Sequence, residues 1–233
     1  MRPGSIELDL TRNIVQVLGF VEVNFSGFYN SEMLSMGTKP TTGQQEITEV
    51  ALELAAQYKW CDVTLSQISK TAGISLSQLI SLFPSKNALV VGIMEDTTKV
   101  VVNDTDQEIL YERPRDRLFD ILLRRIEVLA PNKIAFKSII HEISSSPADA
   151  LCMAPEFFKQ IRTTLEVVGI DSTGLSGQIR VHGVAAIYIG ALFVWFRDDS
   201  SDMEKTTTFL DRRLNQIKHL YETGSNGNST NPG

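Results

Sequence analysis

From Thr42 onward the apolar positions recur with the period of an α-helix. Ile47, Val50, Ala51, Leu54 and Ala55 fall on one face of such a helix. Three Ser/Thr-x-x-Gln pairs follow in turn: Thr42 with Gln45, Thr64 with Gln67, and Ser75 with Gln78. In each, the hydroxyl is placed to accept the third backbone N–H of a helix while the glutamine reaches back to the cap. Each pair opens a periodic apolar run, so the pattern predicts three consecutive short helices. A fourth is expected from near Ser85 to Val102, followed by a charged link over residues 103–117. Leu118, Leu122, Ile126 and Leu129 predict another amphipathic helix, ended by Pro131, and residues 132–145 and 155–168 continue the theme. Residues 169–177 read as a Gly/Ser-rich loop and 178–197 as an apolar helix. Asp198 to Asp202 turns the chain, with Ser201 and Glu204 as a fourth capping pair. Leu210, Leu214, Ile217 and Tyr221 then predict a last helix, 203–221, with a pairing seam. No stretch alternates as a strand would. The expected class is all-α.

The two ends do not share this grammar. Residues 1–41 are punctuated by Gly, Ser, Asn and Pro and read as a flexible N-terminal arm, with Met33 and Met36 as alternative starts. Residues 223–233, ending GSNGNSTNPG, have nothing to bury and read as a disordered tail. Two domains are expected between them, at 42–102 and 115–222.

Charge and composition narrow the partners. The 233 residues carry a net charge of −6, so any nucleic-acid contact must come from a local basic patch. Cys61 and Cys152 are too few for a disulfide framework or a zinc site and read as small buried hydrophobes in a reducing compartment. The apolar run GVAAIYIGALFVWF, Gly183 to Phe196, would rise about 21 Å as a helix, short of a hydrocarbon core of about 30 Å. No membrane span is expected, and the chain reads as cytoplasmic.

The stretch ISKTAGISLSQLISLFPSK, Ile68 to Lys86, is two short helices joined by Ala72-Gly73. With Ile47 to Ala56, Thr64 and Ser85-Lys86-Asn87-Ala88-Leu89, it resembles the N-terminal domain of the TetR family of regulators. The resemblance implies a TetR-like all-α fold, with a helix-turn-helix domain followed by a helical ligand-binding and dimerisation domain. It implies a transcriptional regulator, a homodimer reading a double-stranded DNA operator under control of an apolar small-molecule effector. Carried over by position, Thr64 and Lys86 are candidate phosphate contacts. Ser75, Leu76, Ser77 and Gln78 open the recognition helix and would face base edges. Gln78 has two readings, a bidentate contact to adenine and the helix cap above.

The chain departs from that pattern. Ile80 stands where the family commonly has a tyrosine, and it donates no hydrogen bond to phosphate. Between Gln45 and Val100 four lysines face six acidic residues, a net charge of −2. Further on, Leu192 to Leu214, LFVWFRDDSSDMEKTTTFLDRRL, resembles the end of the lipid-binding accessory proteins of ubiquinone biosynthesis. That family shares the TetR-like fold but has given up DNA recognition. The resemblance implies the alternative function, a lipid or isoprenoid carrier with a vestigial helix-turn-helix. That family also has a membrane-binding helix after the lipid domain, where this chain has only a polar tail.

Both readings call for an apolar ligand chamber. Phe119, Phe136, Ile140, Phe157, Phe158, Tyr188 and Trp195 are its expected lining, with His141 to orient a polar group. The competing reading of the same residues is a close-packed core with no cavity. Asp198, Asp199 and Asp202 read as helix-terminus carboxylates rather than a metal site. No phosphate loop, nucleophile elbow or His/Cys metal spacing is present, and His141, His182 and His219 are scattered. No catalytic constellation and no cofactor are expected.

Overall fold

The computed structural model describes residues 42–105 and 107–222. All regular structure among them is helical: α1 Thr42–Gln57, α2 Leu65–Thr71, α3 Leu76–Leu82, α4 Lys86–Asn103, α5 Pro114–Leu129, α6 Lys133–Ser145, α7 Pro147–Val167, α8 Gly174–Trp195, α9 Glu204–Gln216 and α10 His219–Glu222. Single 3-10 turns lie at Trp60–Asp62, Gln107–Tyr111 and Ala130–Asn132. The all-α expectation holds. The expected N-terminal arm, the disordered tail and the side chain of Thr42 lie outside the described residues.

The chain divides into two compact units. The first takes residues up to Asp96 together with Asn132–Glu156, and the second takes Thr97–Pro131 and Phe157 onward. Helix α6 and the first half of α7 were expected with the second domain, and they belong to the first unit. The reason lies in contacts that no local pattern encodes. Helix α6 packs along α1, and the Trp60 N–H donates to Ser138 Oγ at 2.8 Å. Asn87 Nδ2 donates to Asp149 Oδ1 at 3.1 Å. The core of this unit gathers Ile47, Ala51, Trp60, Ile68, Leu79 and Ile139. Cys61 and Cys152, expected as buried, are both free and exposed.

The helix-turn-helix is built as its residues predict. Thr64 accepts the N–H of Gln67 at 3.2 Å and the Gln67 amide oxygen accepts the Thr64 N–H at 2.8 Å. At the far end of α2 the Ile74 N–H donates to the Ser69 carbonyl at 3.0 Å and the Gly73 N–H to the Lys70 carbonyl at 3.3 Å. This Schellman closure needs a left-handed residue, which Gly73 supplies at φ 68°. Ser85 Oγ accepts the Ala88 N–H at the start of α4, at 3.1 Å.

In the second unit, α8 packs against α9 and α5. Its buried residues include Val181, Val184, Ala185, Tyr188, Ala191 and Trp195. At 22 residues α8 is the one helix among those described that is long and apolar enough to cross a membrane by length and composition. Its start is unusual: an atom at the Cβ position of Gly177 would lie 2.1 Å from the backbone of Ser172, so only glycine fits there.

Several boundaries differ from expectation: α8 begins at Gly174, inside the expected loop 169–177, and α5 at Pro114, inside the expected link 103–117. Helix α7 begins at Pro147, eight residues early, because Ser146 Oγ accepts the Asp149 N–H at 3.3 Å and Pro147 occupies the first helical position, where its missing donor costs nothing. The expected last helix breaks after Gln216, and the Tyr221 hydroxyl donates to the Leu214 carbonyl across the break. The expected cap by Ser201 is not formed. Met203 precedes α9 at φ 54°, and the helix start is held instead by Ser200 and Asp198.

Candidate functional site

The six residues expected at a DNA surface lie together in the first unit, and four of them are spoken for. Thr64 and Ser75 are the two helix caps. The Gln78 amide oxygen accepts the Ser75 N–H at 2.9 Å and the Ser75 hydroxyl at 3.0 Å. Of the two readings of Gln78 the structure takes the cap. A bidentate adenine contact requires that same oxygen as an acceptor, so the cap would have to open first.

Lys86 follows a similar course. Its ammonium donates to the Trp60 carbonyl and stands 4.7 Å over the Trp60 ring. Burial pushes the Lys86 pKa down, against the pull of Glu142, Cys61, Asp149 and Asp62. The amine expected on phosphate is pinned within its own unit. Ser77 and Leu76 remain exposed. Around them α3 also exposes Gln78, Ile80, Ser81 and Leu82, with Leu76 at 42%, Ile80 at 44% and Leu82 at 40% exposure, while Leu79 points into the core; no residue of this helix is charged.

The eight residues expected around a ligand do not fall in one unit. Phe136, Ile140 and His141 belong to the first and the other five to the second. His141 is exposed, and so does not orient a group inside a chamber of its own unit. In the second unit Phe157 lies nearly parallel to Tyr188 with centroids 6.3 Å apart, and Phe158 meets His182 at 4.4 Å. Trp195 is fully buried, and Phe119 lies under the Arg115 guanidinium at 5.2 Å. An open pocket of about 520 Å³ in this unit is lined instead by Asp104, Thr105, Ile109, Glu112, Asp120 and their neighbours, and five of its nine lining residues are charged. Burial raises the Asp120 pKa there, helped by Glu112. That wall suits an apolar ligand poorly.

One polar group of the second unit escaped the sequence reading, and another, read there as a helix-terminus carboxylate, is deeply buried. The first is Arg125, 3% exposed on the inner face of α5. It stands three residues after Leu122 and four before Leu129, within the apolar stripe. That spacing was the available signal, hidden because Arg124 beside it is an ordinary surface arginine paired with Asp104 at 2.8 Å. The second is Asp198, 2% exposed. Its carboxylate accepts the N–H and hydroxyl of Thr206 at 2.9 and 2.8 Å and both donors of Ser200. Burial alone would raise its pKa, but these bonds outweigh burial and hold the carboxyl far below the usual range. Asp211 of the Asp-Arg-Arg segment pairs with Arg115 of α5. Of the residues that carry the ubiquinone-family resemblance, Asp198 therefore pins the α8–α9 turn and Asp211 ties α9 to α5.

A profile of the COQ9 family matches residues 169–221, the region of α8 to α10. Among solved structures, a TetR transcriptional regulator from Nitrosomonas europaea ATCC 19718 is similar, at 18% identity and a TM-score of 0.60, covering 76% of this chain and 98% of that one. Another, from Rhodococcus sp. RHA1, is similar at 19% identity and a TM-score of 0.58, covering 75% of this chain and 95% of that one. No curated protein matches the chain in sequence. The fold is that of the TetR regulators, and the stretch from α8 to α10 carries the COQ9 signature.

Proposed function

We propose that the chain is a TetR-like protein that binds an apolar ligand, a lipid or isoprenoid carrier of the COQ9 kind in which the helix-turn-helix persists as scaffold. One observation carries this reading: Lys86 is pinned on Trp60 while the exposed residues of α3, Leu76, Ile80 and Leu82 together with Ser77, Gln78 and Ser81, carry no charge. Phosphate neutralisation supplies much of the affinity of DNA readers, and an uncharged recognition helix supplies none. The COQ9 match over 169–221 supports the same reading. A cytoplasmic, non-catalytic role belongs to it.

The second reading is a DNA-binding transcriptional regulator, a homodimer through α8 and α9 whose apolar effector alters operator affinity. The intact capping of α2 and α3 and the TetR fold favour it. Selection of bound fragments from genomic DNA at low and moderate salt separates the two. The carrier reading expects no enriched sequence at low salt, and lipid co-purifying with the protein in native mass spectra. Enrichment of one palindromic sequence, weakened by Lys86→Ala, would establish the regulator and overturn the carrier.

A further inference from the structure

Arg125 shares its face of α5 with Ile121, Leu122 and Leu129, and every neighbour on that stripe is aliphatic. A guanidinium taken out of water there is costly unless an opposite charge or a full set of hydrogen bonds replaces its hydration. Its bonds are to neutral groups: Nη1 donates to Thr98 Oγ1 at 3.0 Å and to Thr164 Oγ1 at 3.3 Å. Its Nε is buried with no hydrogen-bond partner. Arg115, Arg124 and Arg180 each hold an aspartate, whereas Arg125 has no carboxylate within ion-pair distance among the described residues. The Tyr188 ring lies 5.4 Å from the guanidinium carbon. Burial pushes the Tyr188 phenol up despite the arginine, so it stays neutral and is no counter-ion.

We infer that Arg125 anchors the acidic head of the ligand, and that the ligand is a monocarboxylate with a long apolar chain. One guanidinium balances one carboxylate and offers it parallel N–H donors. A dianionic phosphate would leave negative charge unbalanced among Ile121, Leu122 and Leu129. The Tyr188 ring beside the guanidinium, itself nearly parallel to Phe157, supplies aromatic surface next to Arg125. The inference rests on the ligand-binding reading above and adds the chemistry of the head group.

The test is equilibrium binding of dodecanoate, methyl dodecanoate and dodecan-1-ol to the full chain by calorimetry. Wild-type protein is expected to prefer dodecanoate over both neutral probes by about tenfold or more. Arg125→Met keeps the stem and removes the charge, a change that buried ion sites often tolerate. It should leave affinity for the alcohol unchanged and bring the acid within about twofold of it. Equal affinities in the wild type, or an acid preference surviving in Arg125→Met, would overturn the anchor while leaving the ligand-binding reading intact. Failure of all three probes to bind would overturn both. Should Arg125→Met not fold, the wild-type comparison of acid with methyl ester decides the matter alone.

Discussion

Helices α2 and α3 are seven residues each, and both begin on a hydroxyl that accepts the backbone N–H of the third helical residue. Helix α8 has 22 residues, and its N-cap, Thr173, makes no such bond. Seven residues are too few for a helix to persist on its own, so the helix-turn-helix depends on its ends: two capping boxes and the closure at Gly73. Helices α5 and α8 depend on their sides. Each buries a long apolar face; of the polar pins in that unit, Asp198 closes the start of α9 from the preceding turn and Asp211 joins α9 to α5. A region held by end bonds is written locally in the sequence, whereas a region held by faces is written as periodicity and closed by distant partners.

Six alanine substitutions test the contrast, from the largest effect downward. Trp195→Ala in the second unit should cost about 3–5 kcal/mol in urea unfolding, since it empties a fully buried aromatic site. A loss below about 1 kcal/mol would mean that the face of α8 does not hold this unit. Asp198→Ala comes next, at about 2–3 kcal/mol, because it strands the buried N–H and hydroxyl of Thr206. The Asp198 pKa is depressed by folding, so its contribution is fully present above the unfolded value of about 3.9. It fades as pH drops from there through the lower folded value. Acid titration of stability should therefore be shallower in Asp198→Ala than in the wild type, and parallel curves would refute the assignment.

Gly177→Ala should cost about 1–3 kcal/mol, because the new Cβ meets the Ser172 backbone rather than a movable side chain. Gly73→Ala should cost about 1–2 kcal/mol for a different reason, left-handed φ with open space around it. Asn at position 73 should recover part of that loss and Asn at 177 none. Thr64→Ala and Ser75→Ala are the smallest, about 1 kcal/mol each in thermal unfolding. Their effects should add, since each box closes within its own helix, and strong non-additivity would show that the caps are coupled through packing.

The sequence by itself determined the all-helical class, the turn at Ala72-Gly73 and both capping boxes. These depend on residues at most five positions apart, whose spacing settles their hydrogen bonds. It also determined the buried stripe of α5, through a period that any packed helix must obey. Only the tertiary structure decided that Lys86 would bend onto Trp60, 26 residues earlier. Only it could assign α6, and Phe136 with it, to the first unit, and move the cap of α9 from Ser201 to Asp198. The physical reason is the same throughout. A long polar side chain has several partners within reach, and the choice among them follows from which one the fold brings close and shields from water.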